Sequence, residues 1–140
     1  MTTTEGPRDA SDGGVGLVDT KLEVVVIPVS DVDRAKAFYA SLGWRLDADL
    51  GGGELRIVQF NPPGSACSIQ FGVGLTSAAP GSAQCLLVVN DIEAARDSLV
   101  AHGVVGAEVF HDASGGFNRF DPSARASGPD PERRTYASFG

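Results

Sequence analysis

The sequence predicts an α+β fold made of two β-α-β-β-β modules in tandem. Three observations predict it. Short β-branched runs bounded by Gly, Pro and Asn alternate with stretches of helical periodicity. The order of elements begins afresh after a Gly/Ser/Ala/Pro-rich connector, residues 74–83. The spacing from a strand-end aspartate to a helix-stopping glycine is the same in both halves, Asp31 to Gly43 and Asp91 to Gly103. Val-Ser-Asp-Val-Asp-Arg-Ala (29–35) parallels Val-Asn-Asp-Ile-Glu-Ala-Ala (89–95), which makes an internal repeat the simplest account.

The elements follow in order. Residues 1–20 are rich in Thr, Gly and Asp, hold little to bury, and read as a disordered leader. A single domain is expected over 21–140, with modules at about 22–73 and 84–140. Leu22 to Val29 is a β-branched strand with Pro28 near its end. Ser30 or Asp31 offers an N-cap, Val32, Ala35, Phe38, Tyr39 and Leu42 recur at helical spacing, and Gly43 stops the helix. Trp44–Asp49, Glu54–Phe60 and Ala66–Val73 read as strands, separated by Gly51-Gly52-Gly53 and Asn61-Pro62-Pro63-Gly64 turns. In the second half, Gln84–Val89 reads as a strand, Asp91 to about His102 as a helix ended by Gly103, and Val105–His111 as a strand.

Composition excludes several functions. The net charge is −7, from 11 basic and 18 acidic residues, which disfavours nucleic acid and anionic membrane surfaces as partners. No apolar run is long enough to cross a bilayer, and the N-terminus has no signal pattern, so a cytoplasmic location is expected. Cys67 and Cys85 have no CxxC spacing and read as small hydrophobes within strands. Gly51-Gly52-Gly53 lacks the Lys-Ser/Thr of a phosphate loop, and no serine stands in a Gly-x-Ser-x-Gly context. His102 falls at a helix C-terminus and reads as structural. His111 ends a strand beside Asp112, where a carboxylate can orient an imidazole, and is the candidate catalytic residue.

The two modules, Val-Ser-Asp-Val-Asp-Arg-Ala-Lys-Ala-Phe-Tyr-Ala-Ser-Leu-Gly-Trp and Leu-Val-Val-Asn-Asp-Ile-Glu-Ala-Ala-Arg followed by His-Gly-Val, resemble the vicinal oxygen chelate superfamily. That superfamily comprises the glyoxalase, bleomycin-resistance and extradiol dioxygenase folds. Residues 129–139 are similar to the penultimate strand of bacterial members. The resemblance implies a curled mixed sheet with a concave cavity, completed in a homodimer. It also implies a final strand after Ser-Phe. The sequence stops at Gly140, so the last strand is expected to be missing and a sheet edge left open or filled by a partner chain.

Metal-dependent members of that family carry His, Glu or Gln on the first and last strands of each module. The matching positions here fall on Val24, Gln70 and Gln84, so no metal and no cofactor is expected. The implied cavity is apolar with a few polar groups. Gln70, Gln84 and His111 are placed to orient a polar substituent, and Trp44, Phe60, Phe71 and Tyr136 to supply aromatic walls, although core packing is the commoner role for an aromatic. The long segment from Asp112 to Pro131 holds Phe117, Arg119 and Phe120 and reads as a lid or a surface excursion. The expected function is binding of a small amphipathic molecule without a full metal site. The alternative is a metal-assisted lyase, isomerase or dioxygenase of the same superfamily.

Overall fold

Val24, Val25 and Val26 are stiff at χ1 and suit extended backbone, and they form the first strand, β1 (Val24–Val26). The computed structural model describes residues 16–106, 109–112, 125–128 and 135–136. The predicted leader lies outside them as far as residue 15. β1 is shorter than the predicted run, but its ladder reaches one residue further at each end. Ser68 N–H donates to Glu23 O at 2.9 Å and Ile27 N–H to Gln70 O at 2.7 Å.

Helix α1 (Val32–Ser41) begins where Asp31 caps it, accepting the Arg34 N–H at 3.0 Å. It ends where Gly43 takes a positive φ of 82°, its N–H donating to Ala40 O while Trp44 N–H reaches Tyr39 O. Strands β2 (Arg45–Gly52), β3 (Leu55–Asn61) and β4 (Ser68–Val73) complete the first module. The sheet order is β1-β4-β3-β2, with β1 parallel to β4 and the other pairs antiparallel. The β-α-β-β-β order is the one the sequence predicts.

The strand period of two divides this sheet into two unlike faces. Val58, Phe60, Ile69 and Phe71 point toward α1 and are buried, with Phe60 and Phe71 at 0% exposure. Ile27, Val29, Val32, Ala35, Tyr39 and Trp44 pack against them. Tyr39 lies among Trp44 (4.9 Å between ring centroids), Phe71 (5.7 Å) and Phe60 (5.9 Å), and Phe60 stacks on Phe71. Gly72 permits close approach of β3 and β4: a Cβ there would lie 1.8 Å from the Arg56 carbonyl oxygen.

The chain divides into two units, residues 1–84 and 85–140. The second holds helix α2 (Ile92–Ala101) and a three-stranded sheet of β5 (Phe110–Asp112), β6 (Arg125–Ser127) and β7 (Thr135–Tyr136), in the order β6-β5-β7. Two expectations differ from this. Gln84–Val89 forms no strand, and Leu86, Leu87, Val88 and Val89 are exposed. β-propensity alone does not make a strand where no neighbour supplies a ladder. The segment read as one long loop after Asp112 contains β6, antiparallel to β5. No helix among the described residues is long and apolar enough to cross a membrane.

Candidate functional site

The sheet face opposite α1 carries Val24 and Val26 from β1, Ser68 and Gln70 from β4, Ile57, Gln59 and Asn61 from β3, and Ala48 from β2. Its polar members are joined across the strands. Gln70 Nε2 donates to Gln59 Oε1 at 2.8 Å, and Asn61 Nδ2 donates to Ser68 Oγ at 3.0 Å. Asn61 and Ser68 are buried, so their pairing relieves the cost of burying polar groups. Gln59 and Gln70 are half-buried.

A β-bulge in β2 governs which acids reach this face. Leu46 pairs with Phe60 and Ala48 with Gln59, so Asp47 is the inserted residue. In a regular strand Asp47 and Asp49 would share a face. Here Asp49 stands on the α1 side, accepting from Lys36 at 2.8 Å and from Arg56 at 3.0 Å, while Arg56 also reaches Asp33 of α1 at 2.7 Å. Asp47 instead meets Arg45 through both guanidinium Nε and Nη2. Hydrogen bonding from Arg45 is the main cause holding the Asp47 carboxyl below its usual pKa. Hydrogen bonds from Arg56 and then Lys36 hold Asp49 far below the usual carboxylate range, and Asp49 and Asp33 raise Arg56.

Within residues 1–84 the structure places predicted site residues on opposite faces of the sheet. Gln70 is on the amide-bearing face. Phe60 and Phe71 are on the other face, closed into the core beneath α1, and Trp44 packs with them. Gln84 is exposed and belongs to no strand, so it does not join Gln70 in a ladder. His111 pairs in register with Ala126 and Thr135, and Tyr136 with Phe110. Phe117 and Arg119 lie outside the described residues. His102 caps α2, its Nδ1 2.7 Å from Ser98 O, which requires the proton on Nδ1. Cys67 is half-buried before β4, whereas Cys85 is exposed and does not fill a core.

Sequence reasoning missed Gln59, Asn61, Ser68 and Asp47. The first three were open to detection, because Ile57-Val58-Gln59-Phe60-Asn61 alternates polar and apolar residues about a buried stripe. Asp47 depends on the bulge, which no local residue pattern announces.

The metal implied by the family does not fit these residues. Val24 has no donor atom, the Gln70 amide is held by Gln59, and Gln84 is on no strand. Among the described residues no three His, Cys, Asp or Glu side chains converge. A separate open concavity of about 540 Å³ in the second unit is lined by Glu93, Arg96, Asp97, Val109, Ser127 and Gly128, and contains none of the predicted site residues.

These features define an α+β protein in which a helix seals one face of a mixed sheet and cross-strand amides mark the other. The chain belongs to the glyoxalase/bleomycin resistance protein/dioxygenase superfamily, whose family model matches residues 21–123. Among solved structures it is similar to TnmS3, an antibiotic binding protein from Streptomyces sp. CB03234, at 30% identity over 65% of this chain and 77% of that one, with a TM-score of 0.57. A glyoxalase/bleomycin resistance protein from the same organism is 28% identical over 84% of this chain and 97% of that one, TM-score 0.55. A superfamily member from Sphaerobacter thermophilus DSM 20745 shares the fold at 24% identity, covering 88% and 98% of the two chains, TM-score 0.58. No curated protein matches the chain.

Proposed function

We propose that this protein binds a small amphipathic molecule, an antibiotic among the candidates, on the sheet face opposite α1, and that it does so without metal. The observation that carries this reading is the Gln59–Gln70 amide pair, half-buried on a face it shares with Val24, Val26, Ile57, Ala48 and Leu50, with the Asn61–Ser68 pair and with Arg45. A mostly apolar surface with a few oriented polar groups is the usual chemistry of small-molecule recognition. The likeness to TnmS3 supports the ligand class.

The working unit in this reading is a cytoplasmic homodimer that binds no nucleic acid. Within the described residues β1 pairs with β4 alone, and Val25 and Val26 are exposed with no charged residue on the strand, the kind of edge a second copy covers. His111 is proposed as a catalytic residue, and Tyr136, Phe117 and Arg119 as further ligand-binding residues.

The test is calorimetric titration of the purified protein with a panel of amphipathic antibiotics, alongside elemental analysis and mass in solution. One ligand per chain at a Kd of about 10 μM or tighter is expected, weakened by Gln70→Leu. Absence of binding across the panel would sink the reading. A tightly held divalent ion in each chain would move the assignment to a metal-assisted lyase, isomerase or dioxygenase.

A further inference from the structure

We infer that the ligand lies along the strands of this face in one direction, its apolar frame toward the β2–β3 turn and its polar head at Gln59 and Gln70, and that the head is a neutral group able both to donate and to accept a hydrogen bond, as a carboxamide or lactam is. The inference rests on the binding role proposed above and deepens it by naming the head-group chemistry and the orientation.

The direction comes from a gradient along the strands. On β3 the residues of this face run from buried Asn61 through half-buried Gln59 and Ile57 to Leu55, which is 53% exposed. The side chains turn from polar to apolar in the same order. β4 runs likewise, from buried Ser68 through half-buried Gln70 to Gly72, which has no side chain. Leu50 of β2, 62% exposed, stands opposite Ile57 and diagonal to Leu55, within side-chain reach of both. Leu75 extends the patch, its Cδ1 3.2 Å from the place a Cβ on Gly72 would take. Single exposed leucines are ordinary on a protein surface, but a contiguous apolar patch beside oriented amides marks a place to be covered.

The other end of the face is closed. Asn61 and Ser68 are buried and bonded to each other, so the glutamine amides are the last polar groups that a ligand reaches. From Leu55 to Gln59 the strand advances about 13 Å, which gives room for a two-ring frame followed by a polar head.

The chemistry of the head comes from a count of donors and acceptors. Each glutamine amide has one acceptor oxygen and one donor NH2. The 2.8 Å contact engages the Gln70 NH2 with the Gln59 oxygen. The Gln59 NH2 on β3 and the Gln70 oxygen on β4 then stand outside any hydrogen bond among the described residues. Turning both amides end for end exchanges the two and leaves the same remainder, one donor and one acceptor on adjacent strands, so the count holds for either orientation. Its complement is a group that accepts on one side and donates on the other. A carboxylate or an ether only accepts and an ammonium only donates, so each leaves one amide without its partner, at a cost in affinity.

The experiment uses the full chain with 2-naphthamide and 2-acetylnaphthalene, which share a frame and a carbonyl and differ in an NH2 against a methyl group. Both are titrated while the side-chain amide and methyl signals are followed by NMR, and intermolecular NOEs are recorded. The wild-type protein is expected to bind the amide about tenfold more tightly, with NOEs from the rings to the Leu50 and Leu55 methyls and shifts at the Gln59 and Gln70 amides. Gln59→Leu removes one of the two free functions, and the preference falls to about twofold or less while the ketone binds as before. Leu50→Ser weakens both probes about threefold and keeps the preference. A preference absent from the wild-type chain or retained by Gln59→Leu, or NOEs that place the rings away from Leu50 and Leu55, would overturn the inference while the binding reading stands. If neither probe shifts any signal of this face the inference also falls, and titration with the antibiotic panel decides the binding reading separately. Melting curves confirm that each variant is folded.

Discussion

Helices α1 and α2 are built with the same local bonds, but among the described residues only α1 is seen packed on a buried core. Asp31 and Asp91 each accept the N–H three residues on at 3.0 Å. Gly43 and Gly103 take φ values of 82° and 85°. The closing bonds also correspond, Gly43 to Ala40 and Trp44 to Tyr39 in the first, Gly103 to Val100 and Val104 to Leu99 in the second. Even charges recur, with Asp33 and Lys36 matched by Glu93 and Arg96. What does not recur is the aromatic set. Phe38, Tyr39 and Trp44 correspond to Ser98, Leu99 and Val104, and among the described residues every buried apolar side chain belongs to residues 1–84. Caps and stops are local chemistry that survives in both copies of a repeat. A core is a property of several elements together, and its residues have diverged.

The sharpest way to break this comparison is to remove one aromatic. Phe71→Ala should destabilise the first unit by about 3–5 kcal/mol, since a fully buried ring leaves a cavity that its neighbours fill only in part. Leu99→Ala, at a half-buried position of α2, should cost less. Urea unfolding followed by fluorescence of Trp44, the one tryptophan in the sequence, reads the first unit directly. Equal losses of stability would show that the two halves depend on one shared core.

A smaller effect tests the sheet. Gly72→Ala would place a Cβ 1.8 Å from the Arg56 carbonyl oxygen, so the β3 and β4 backbones must separate, at a cost of about 1–3 kcal/mol. Gly52→Ala meets nothing within 4 Å and serves as the control, expected to melt close to the wild-type temperature.

The caps come next. Asp31→Ala and Asp91→Ala should each cost about 1 kcal/mol, measured by amide hydrogen exchange in the first turn of each helix. The comparison predicts equal local losses. It predicts unequal global ones, because Val32, Ala35 and Tyr39 of α1 belong to the aromatic core, so Asp31→Ala should also shift the Trp44 unfolding curve while Asp91→Ala leaves it in place.

Most of the first module was legible in the sequence because its signals are local. Asp31, Gly43, the alternation Leu55–Asn61 and the β-branched Val24–Val26 each announce their element within a few residues. Gln84–Val89 misled for the same reason: its residues favour strand, but a strand exists only with a partner, and that information is not in the segment. The candidate site divides similarly. Gln70 came from the family resemblance, and Gln59 was within reach of the alternation. Phe60 was read as a cavity wall although the same alternation puts it on the face opposite Gln59 and Gln70. Asp47 required knowledge of a bulge, which arises from pairing between β2 and β3 and not from either strand alone.

The smallest effect concerns the charges that join α1 to the sheet. Asp49 accepts from Lys36 and Arg56, and Arg56 extends the network to Asp33. The folded state depresses the Asp49 pKa, so the contribution of this network is complete above the ordinary carboxylate value of about 4 and is lost as the pH falls below it toward the folded value. These groups remain partly in contact with solvent, which keeps the effect modest and sensitive to salt. Wild-type melting temperature should therefore decline between about pH 4 and pH 2 more steeply in low salt than in high. Asp49→Asn should begin slightly less stable at neutral pH and decline less over the same interval. Asp47→Asn, which removes a carboxylate from the opposite face, should leave the acid response of the α1 attachment as it is in the wild-type chain. If Asp49→Asn follows the wild-type curve throughout, the helix is held by Val32, Ala35 and Tyr39 alone and the bulge has no bearing on the attachment of α1.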